Sequence, residues 1–308
     1  MKRKKYFVFF GLLSLSAVIF LAGCSTILLF DPKGPIGESE KFLILAAIGL
    51  MAIVVIPVFI MAFWFPVKYR ASNTASPYTP KWSYSAKIDM VMWGVPVAII
   101  VVLATLTWHM THKLDPYKPI PSAHKPVNIQ AVSLDWKWLF IYPDQNIATV
   151  NQLMFPVNAP LSFKLTSDTV MTSFFIPQLG SQMYAMGGMQ TQLNLLADKP
   201  GIYAGHNNQI SGIGYANMHF KAQAVSLEDF QAWVQKVRQS PEKLDLQRYK
   251  QLTQPNDGYY PVTYFSAVEP DLFLYVLRKY DPNWGKHPSH ISRSSTATHA
   301  GTVVTEGN

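Results

Sequence analysis

The 308-residue chain contains a single cysteine, Cys24, and its position limits the chemistry that the sequence allows. Cys24 ends the tetrapeptide Leu21-Ala22-Gly23-Cys24, which follows four basic residues at 2–5 and an apolar run. A basic start, an apolar stretch and small residues are typical of a secretory signal, and the closing cysteine is typical of bacterial lipoprotein processing. We therefore predict a signal peptide at residues 1–23 and lipid attachment at Cys24. A reduced cysteine in an uncleaved anchor helix is the alternative.

A lipidated Cys24 leaves no thiol in the mature chain, which excludes disulfides, thiolate nucleophiles and cysteine-ligated metals. His206 and His219 are candidate ligands, but two histidines with no defined third ligand are more typical of surface or core residues. Thioethers suit Cu(I), although methionine more often fills irregular gaps in a packed surface. The candidate thioethers are Met154, Met171, Met183, Met186 and Met189.

Two segments are apolar for long enough to cross a bilayer, which takes about 20 helical residues. Residues 42–65 and 90–108 contain no charged side chain, and the loop between them carries an excess of basic residues. The positive-inside rule places that loop in the cytoplasm. The predicted order is an external segment at 24–41, transmembrane helices at 42–65 and 89–109, and a cytoplasmic loop at 66–88.

The formal net charge of +8 is concentrated near the membrane-spanning part of the chain. The signal and the cytoplasmic loop hold four basic residues each, whereas residues 110–308 have sixteen Lys and Arg against fourteen Asp and Glu. A polyanion partner would need a clustered basic face, which such a balance does not favour. Nucleic acid is therefore excluded as a partner.

The external part from Val127 to Val225 reads as short apolar strands separated by turn signals such as Lys199-Pro200-Gly201. This pattern indicates an antiparallel sandwich or a Greek-key barrel, and we predict one β domain at residues 110–225. The predicted strands are Val127–Tyr142, Leu153–Phe155, Leu161–Thr166, Met171–Ile176, Gln190–Ala197, Gly201–Gly205 and Met218–Val225.

The pattern becomes helical at Ser226, whose hydroxyl is suited to cap a helix. Apolar residues then recur at helical spacing, at Phe230, Trp233, Val234 and Val237. With a second helix at Pro270–Tyr280, residues 226–280 are predicted to form a helical extension, and residues 281–308 a disordered tail. The predicted fold class is membrane-anchored α+β, with two transmembrane helices, an all-β Greek-key sandwich and C-terminal helices.

Two spans followed by an external β domain, with Asp135-Trp136-Lys137-Trp138 and the run from Ser167 to Pro177, resemble subunit II of the haem-copper terminal oxidases. In the cytochrome c oxidase branch, this resemblance implies a cupredoxin-like domain whose binuclear copper centre receives electrons from cytochrome c. Its ligands lie in Asp-x-x-His-Ser-Phe and Cys-x-Glu-x-Cys-Gly-x-x-His-x-x-Met. The corresponding positions here hold Thr172, Asn207, Gln209, Ser211, Tyr215 and Met218.

Only Met218 keeps the residue type of a copper ligand. Because bridging thiolates hold the two coppers and soft sulfur selects copper, a binuclear copper site is excluded. A cupredoxin-like scaffold without this site, together with the lipoprotein signal, resembles subunit II of the bacterial cytochrome bo-type ubiquinol oxidases. The resemblance covers Cys24 to about Tyr280.

This resemblance implies a non-redox subunit with no catalytic, cofactor-binding or metal-binding residue, in a proton-pumping ubiquinol oxidase. Haem b, haem o or a, and copper are then expected on subunit I, which this chain supports and covers. The expected partners are oxidase subunits I, III and IV, membrane lipid, and ubiquinol through subunit I, but not cytochrome c. The expected location is the bacterial cytoplasmic (inner) membrane, with the C-terminal domain in the periplasm.

Two other functions stay open from the residues. One is a copper-containing cytochrome c oxidase subunit II, which the absent cysteines oppose. The other is a free-standing envelope lipoprotein with a cupredoxin-like domain. Two spans in a chain that is already lipid-anchored favour a partner within the membrane, and so disfavour the second alternative.

Overall fold

The computed structural model describes residues 28–75, 79–256 and 258–285. The predicted signal peptide, Cys24 and the tail beyond Gly285 lie outside this part of the chain. The chain divides into two compact units, Ser39–Asp115 and a larger unit made of Met1–Glu38 with Pro116–Asn308.

Two long helices, α1 (Pro35–Lys68) and α2 (Ala86–Lys113), are each long and apolar enough to cross a membrane. Both extend beyond the predicted spans of 42–65 and 89–109, because polar turns continue the helix past the apolar window. Proline suits the first position of α1, since its missing N–H would have no intrahelical partner there.

In the residues that the structure describes, the larger unit contains eleven strands in three sheets. The six-stranded sheet has the order β11-β3-β2-β1-β5-β8, the three-stranded sheet β4-β10-β9, and the small sheet β6-β7. The strands are β1 Val127–Leu134, β2 Lys137–Tyr142, β3 Ile147–Val150, β4 Gln152–Pro156, β5 Leu161–Ser167, β6 Thr172–Phe174, β7 Met183–Ala185, β8 Thr191–Leu195, β9 Gly201–His206, β10 His219–Val225 and β11 Thr263–Phe265.

The sheets differ from the antiparallel arrangement that the sequence predicted. β1 pairs with β5 and β4 pairs with β10 in parallel. The predicted strand Val127–Tyr142 was wrong, because the chain reverses between β1 and β2 at Asp135 and Trp136, where Trp136 has a φ of 59°. Strands β3, β7 and β11 were not predicted, since each has only three or four residues.

An aromatic cluster fills the main core between the sheets. The Phe174 ring lies 5.2 Å from Phe220 and 5.3 Å from Trp138, and Phe140 lies 5.0 Å from Phe220. All four side chains are almost fully buried. Burial of each contributes roughly 2–3 kcal/mol, so this cluster fixes how β2, β6 and β10 face one another.

Up to Gly285, the described chain after the sandwich forms three helices: α3 (Leu227–Arg238), α4 (Leu246–Leu252) and α5 (Leu272–Tyr280). The predicted cap of α3 is confirmed, because Ser226 Oγ accepts a hydrogen bond from Asp229 N at 3.0 Å. The apolar stripe of α3 joins the main core, as its spacing predicted.

The rest of the C-terminal extension covers the second face of the six-stranded sheet. A second core contains side chains of β1 and β2 together with Tyr249, Leu252 and Phe273. The sequence predicted a helical extension. The extension also supplies the edge strand β11, so it is not purely helical. Trp284 packs against this core as well, so ordered structure continues past the predicted start of the tail at residue 281.

The residues just before α1, which belong to the external segment predicted at 24–41, pack against the β domain. Lys33 N donates to Gln178 O at 2.8 Å, and Lys33 O accepts from Asp198 N at 2.9 Å. A Cβ added at Gly34 would lie 2.0 Å from Leu196 O, so this close approach requires glycine.

Gly34→Ala is expected to destabilise the larger unit by about 1–3 kcal/mol, the usual cost of overpacking. Thermal unfolding of the detergent-solubilised chain, followed by tryptophan fluorescence, measures the effect. Gly49→Ala is the matched control, because in the described residues no atom beyond the adjacent helix backbone lies within 4 Å of its added Cβ. Equal melting temperatures of the two variants would contradict the packing described for Gly34.

Candidate functional site

The positions that correspond to copper ligands lie on β6 and on the segment that joins β9 to β10, residues 207–218. We call this segment the 207–218 loop. Phe175, which follows β6, bridges to His206 at the end of β9, with backbone hydrogen bonds of 2.9 and 3.2 Å. The aromatic core and this bridge together hold the loop beside β6.

The side-chain amide of Asn207 occupies the centre of the loop. Its Oδ1 accepts hydrogen bonds from Ser173 N at 2.9 Å and from Gln209 N at 3.0 Å. Its Nδ2 donates hydrogen bonds to Ser211 Oγ at 3.2 Å and to Met218 Sδ at 3.4 Å. Asn207 is 6% exposed, so these bonds form away from water and leave its polar atoms satisfied.

The structure brings only some of the predicted positions together. Asn207, Ser211 and Met218 meet through their side chains, and Gln209 takes part through its backbone. Thr172 instead donates its hydroxyl to Ser133 Oγ at 2.7 Å. Tyr215 begins a short 3₁₀ turn and contributes its carbonyl oxygen, which accepts from Met218 N at 3.0 Å.

The indole of Trp136 lies directly against the loop. A Cβ at Gly214 would lie 2.6 Å from the indole, and one at Gly212 would lie 2.7 Å away. Gly212 also has a φ of +126°, which side chains rarely adopt. Sequence reasoning missed these glycines and Ser173, although the Gly-x-Gly spacing was a usable sign of close backbone approach.

This arrangement is suited to a structural role rather than to metal binding. Met218 Sδ is the one ligand atom kept from the copper motif, and it accepts a hydrogen bond from the Asn207 side-chain amide. Across residues 28–75, 79–256 and 258–285, no group of three or more His, Cys, Asp or Glu is placed to hold a metal ion. The methionines are not one cluster either, since Met154 and Met183 pack on the main core while Met171 and Met189 are exposed.

Lys137, between the two tryptophans of the β1–β2 hairpin, is fully buried, which its sequence context did not indicate. Its Nζ donates to Gln254 O at 2.8 Å, to Asn256 Oδ1 at 2.7 Å and to Asp135 O at 3.1 Å. Burial lowers the Lys137 pKa to about 8, and the Asp135 carboxylate acts in the opposite direction. The ammonium group therefore joins the hairpin to the C-terminal extension.

Asp168, four residues before Thr172, is a second buried charge beside the site. Its carboxylate lies 3.0 Å from Lys279 Nζ, and the Tyr280 hydroxyl donates to its backbone oxygen. Burial raises the pKa of Asp168, while Lys279 acts to lower it. The C-terminal extension thus contacts both the β1–β2 hairpin and the segment that leads into β6.

Comparisons with known proteins identify the family. Residues 144–225 match the family model of the periplasmic domain of cytochrome c oxidase subunit II, and residues 238–282 match the COX aromatic rich motif. The cytochrome bo(3) ubiquinol oxidase subunit 2 of Pseudomonas putida is 51% identical over 295 residues, which cover 96% of this chain and 93% of the relative. The chain belongs to the ubiquinol oxidase subunit 2 family.

A second member, the ubiquinol oxidase subunit 2 of Acetobacter aceti, is 52% identical over 269 residues, with 87% of each chain covered. Among solved structures, the periplasmic domain of subunit II of cytochrome oxidase (CoxB) of Bradyrhizobium japonicum matches 39% of this chain and 96% of its own. That match has 21% identity and a TM-score of 0.36.

Membership of the ubiquinol oxidase subunit 2 family confirms the resemblance and the fold class predicted from the sequence. This chain is a subunit of a quinol oxidase, an oxidoreductase complex, and other oxidase subunits are therefore implied. It is membrane-anchored, with two helices suited to span a membrane and a periplasmic domain of the cytochrome c oxidase subunit II type.

Asn207→Ala is expected to lower the free energy of unfolding by about 2–4 kcal/mol, because it leaves buried backbone donors without an acceptor. Denaturant unfolding of the solubilised chain measures the loss. Asn208→Ala is the matched control, since Asn208 is the exposed neighbour in the same loop. If the two substitutions cost the same, the amide does not organise the loop.

The lowered pKa of Lys137 also predicts how stability depends on pH. Between pH 8 and 10.5, the folded state releases a proton that the unfolded state keeps, so the folded state gains stability as pH rises. The free energy of unfolding of the parent should therefore rise across this window relative to that of Lys137→Met. Parallel pH profiles of the two proteins would show that the Lys137 pKa is not lowered.

Proposed function

We propose that this chain is the non-redox subunit of a proton-pumping ubiquinol oxidase. In this proposal it binds subunit I and covers its outer face, while haem b, haem o or a, copper and the quinol site lie on subunit I. Subunits III and IV are further partners. No residue of this chain contributes to catalysis, and the former ligand positions Thr172, Asn207, Gln209, Ser211, Tyr215 and Met218 hold no metal.

The observation that carries the proposal is the amide of Asn207 at the position of the first bridging thiolate. Its acceptor and donor atoms are taken by neighbours in the 207–218 loop and in β6. An amide is a poor substitute for thiolate sulfur as a copper ligand. A quinol dissolved in the membrane needs no water-facing copper relay, so an oxidase fed by quinol functions without this centre.

The location is proposed on related grounds. Cys24 carries lipid at the N-terminus of the mature chain, and the protein resides in the bacterial cytoplasmic membrane with its C-terminal domain in the periplasm. The two apolar helices and the family membership support this topology. The mass of the N-terminal peptide tests the lipid directly, because an unmodified Cys24 within an uncleaved signal would contradict it.

The test of function is purification of the oxidase in mild detergent, followed by its optical spectrum, its copper-to-haem ratio and its oxygen uptake. Uptake driven by ubiquinol and not by reduced cytochrome c is the expected result. Cytochrome c activity with additional copper would establish the cytochrome c oxidase alternative. Purification of the chain without any haem would contradict the proposal and support the free-standing lipoprotein alternative.

A substitution sharpens the metal part of this test. Met218→Leu removes the sulfur kept from the copper motif and nearly conserves its volume. We expect an unchanged copper-to-haem ratio and unchanged ubiquinol turnover. Met154→Leu, at a half-buried methionine elsewhere in the β domain, is the control. Loss of copper in Met218→Leu alone would place a metal on this chain.

A further inference from the structure

Two histidines face each other across neighbouring strands beside the 207–218 loop. His206 ends β9, His219 begins β10, and the antiparallel register pairs them directly. The backbone N–H and C=O of His206 both bond to Phe175 on the opposite side. His206 and His219 are therefore a non-hydrogen-bonded pair, the type whose Cα atoms lie only about 4.5 Å apart and whose side chains are closest.

Both imidazoles lie on the exposed face of the three-stranded sheet. Along β9 and β10 the buried residues Gly205 and Phe220 point inward, so the flanking residues His206 and His219 point outward together. His206 is half-buried and His219 is exposed.

The ring nitrogens are available for coordination. Within the described part of the chain, neither imidazole makes a side-chain hydrogen bond. The ring of His219 stacks on Tyr259, with centroids 4.6 Å apart and planes 22° apart. Stacking covers one face of the ring and leaves the nitrogens at its edge open. Burial and the neighbouring His219 lower the pKa of His206, which favours its neutral, metal-binding form.

We propose that His206 and His219 form a two-histidine site for a borderline divalent cation such as Zn²⁺, Cu²⁺ or Ni²⁺, with water completing the coordination. Neutral imidazole is a ligand that these ions share. Because the pair joins the strands on either side of the 207–218 loop, bound metal holds the two ends of the loop together. The site faces outward, whereas Thr172, Asn207 and Met218 of the former copper positions are buried, and it does not depend on the proposed function.

The test uses the untagged full chain in detergent, with Zn²⁺ as the probe and diethyl pyrocarbonate as the histidine reagent. Mass spectrometry of the peptides reports modification at each histidine separately, so the histidines of the C-terminal tail do not confuse the result. We expect Zn²⁺ to protect His206 and His219 at the same concentration. His124, an exposed histidine at the start of the β domain, is the internal control.

Mutual dependence is the decisive feature of chelation by two side chains. In His219→Ala, the Zn²⁺ concentration that half-protects His206 should rise on the order of 100-fold, because the second ligand of a bivalent site is lost. The same rise is expected at His219 in His206→Ala. His206→Gln and His219→Gln repeat the test if an alanine variant melts at a lower temperature without metal. Protection of one histidine that does not change when the other is replaced would overturn the proposal, as would the absence of protection in the parent.

Discussion

The side chain of Asn207 is the interaction on which the rest of the site depends. An amide offers one acceptor oxygen and two N–H donors within a single plane, so it satisfies backbone donors on one side and side-chain acceptors on the other. A thiolate at this position would offer acceptors only and would need a cation beside it. The amide therefore replaces a charged centre by a neutral one, and the loop stays anchored to β6.

Two buried charges extend this anchoring to the C-terminal extension. Lys137 and Asp168 have opposite charges, yet each is bonded by residues of the extension. Burial moves the two pKa values in opposite directions, lowering that of Lys137 and raising that of Asp168. A buried charge needs such partners, because a charged group that is removed from water without them is costly. The extension and the six-stranded sheet therefore fold as one structure, in agreement with the burial of both faces of β2 and of the second half of β1.

The sequence was most informative where a local signal decides the structure. Hydropathy located α1 and α2, and the Ser226 cap with its apolar stripe located α3. Other features of the fold depend on contacts between segments that are distant in the sequence. The sequence pattern around Lys137, a lysine between two tryptophans, is typical of an exposed strand position. Lys137 is buried because Gln254 and Asn256 of the C-terminal extension cover it. Parallel pairing of β1 with β5 likewise depends on contacts between distant segments, which no local pattern encodes.

In the site, too, some residues could be predicted from the sequence and others depend on distant contacts. The resemblance gave Asn207, Ser211 and Met218 as neighbours, because the loop that carries them keeps its spacing. It did not indicate Ser173, whose backbone N–H and hydroxyl both reach Asn207 Oδ1. Nor did it indicate the contact of Trp136 with Gly212 and Gly214. These partners compensate locally for the missing metal, and a motif defined by ligands does not include them.

The aromatic core explains why the scaffold persists without copper. Phe174 on β6 and Phe220 on β10 stack within 5.2 Å, directly beside the positions of Thr172 and Met218. Their burial positions both strands whether or not a metal lies between them. Without the metal, the polar groups of the 207–218 loop need other hydrogen-bond partners. The side-chain amide of Asn207 provides most of them. Redox chemistry is thus separable from this fold, because the contacts that hold the strands together are not those that would hold the metal.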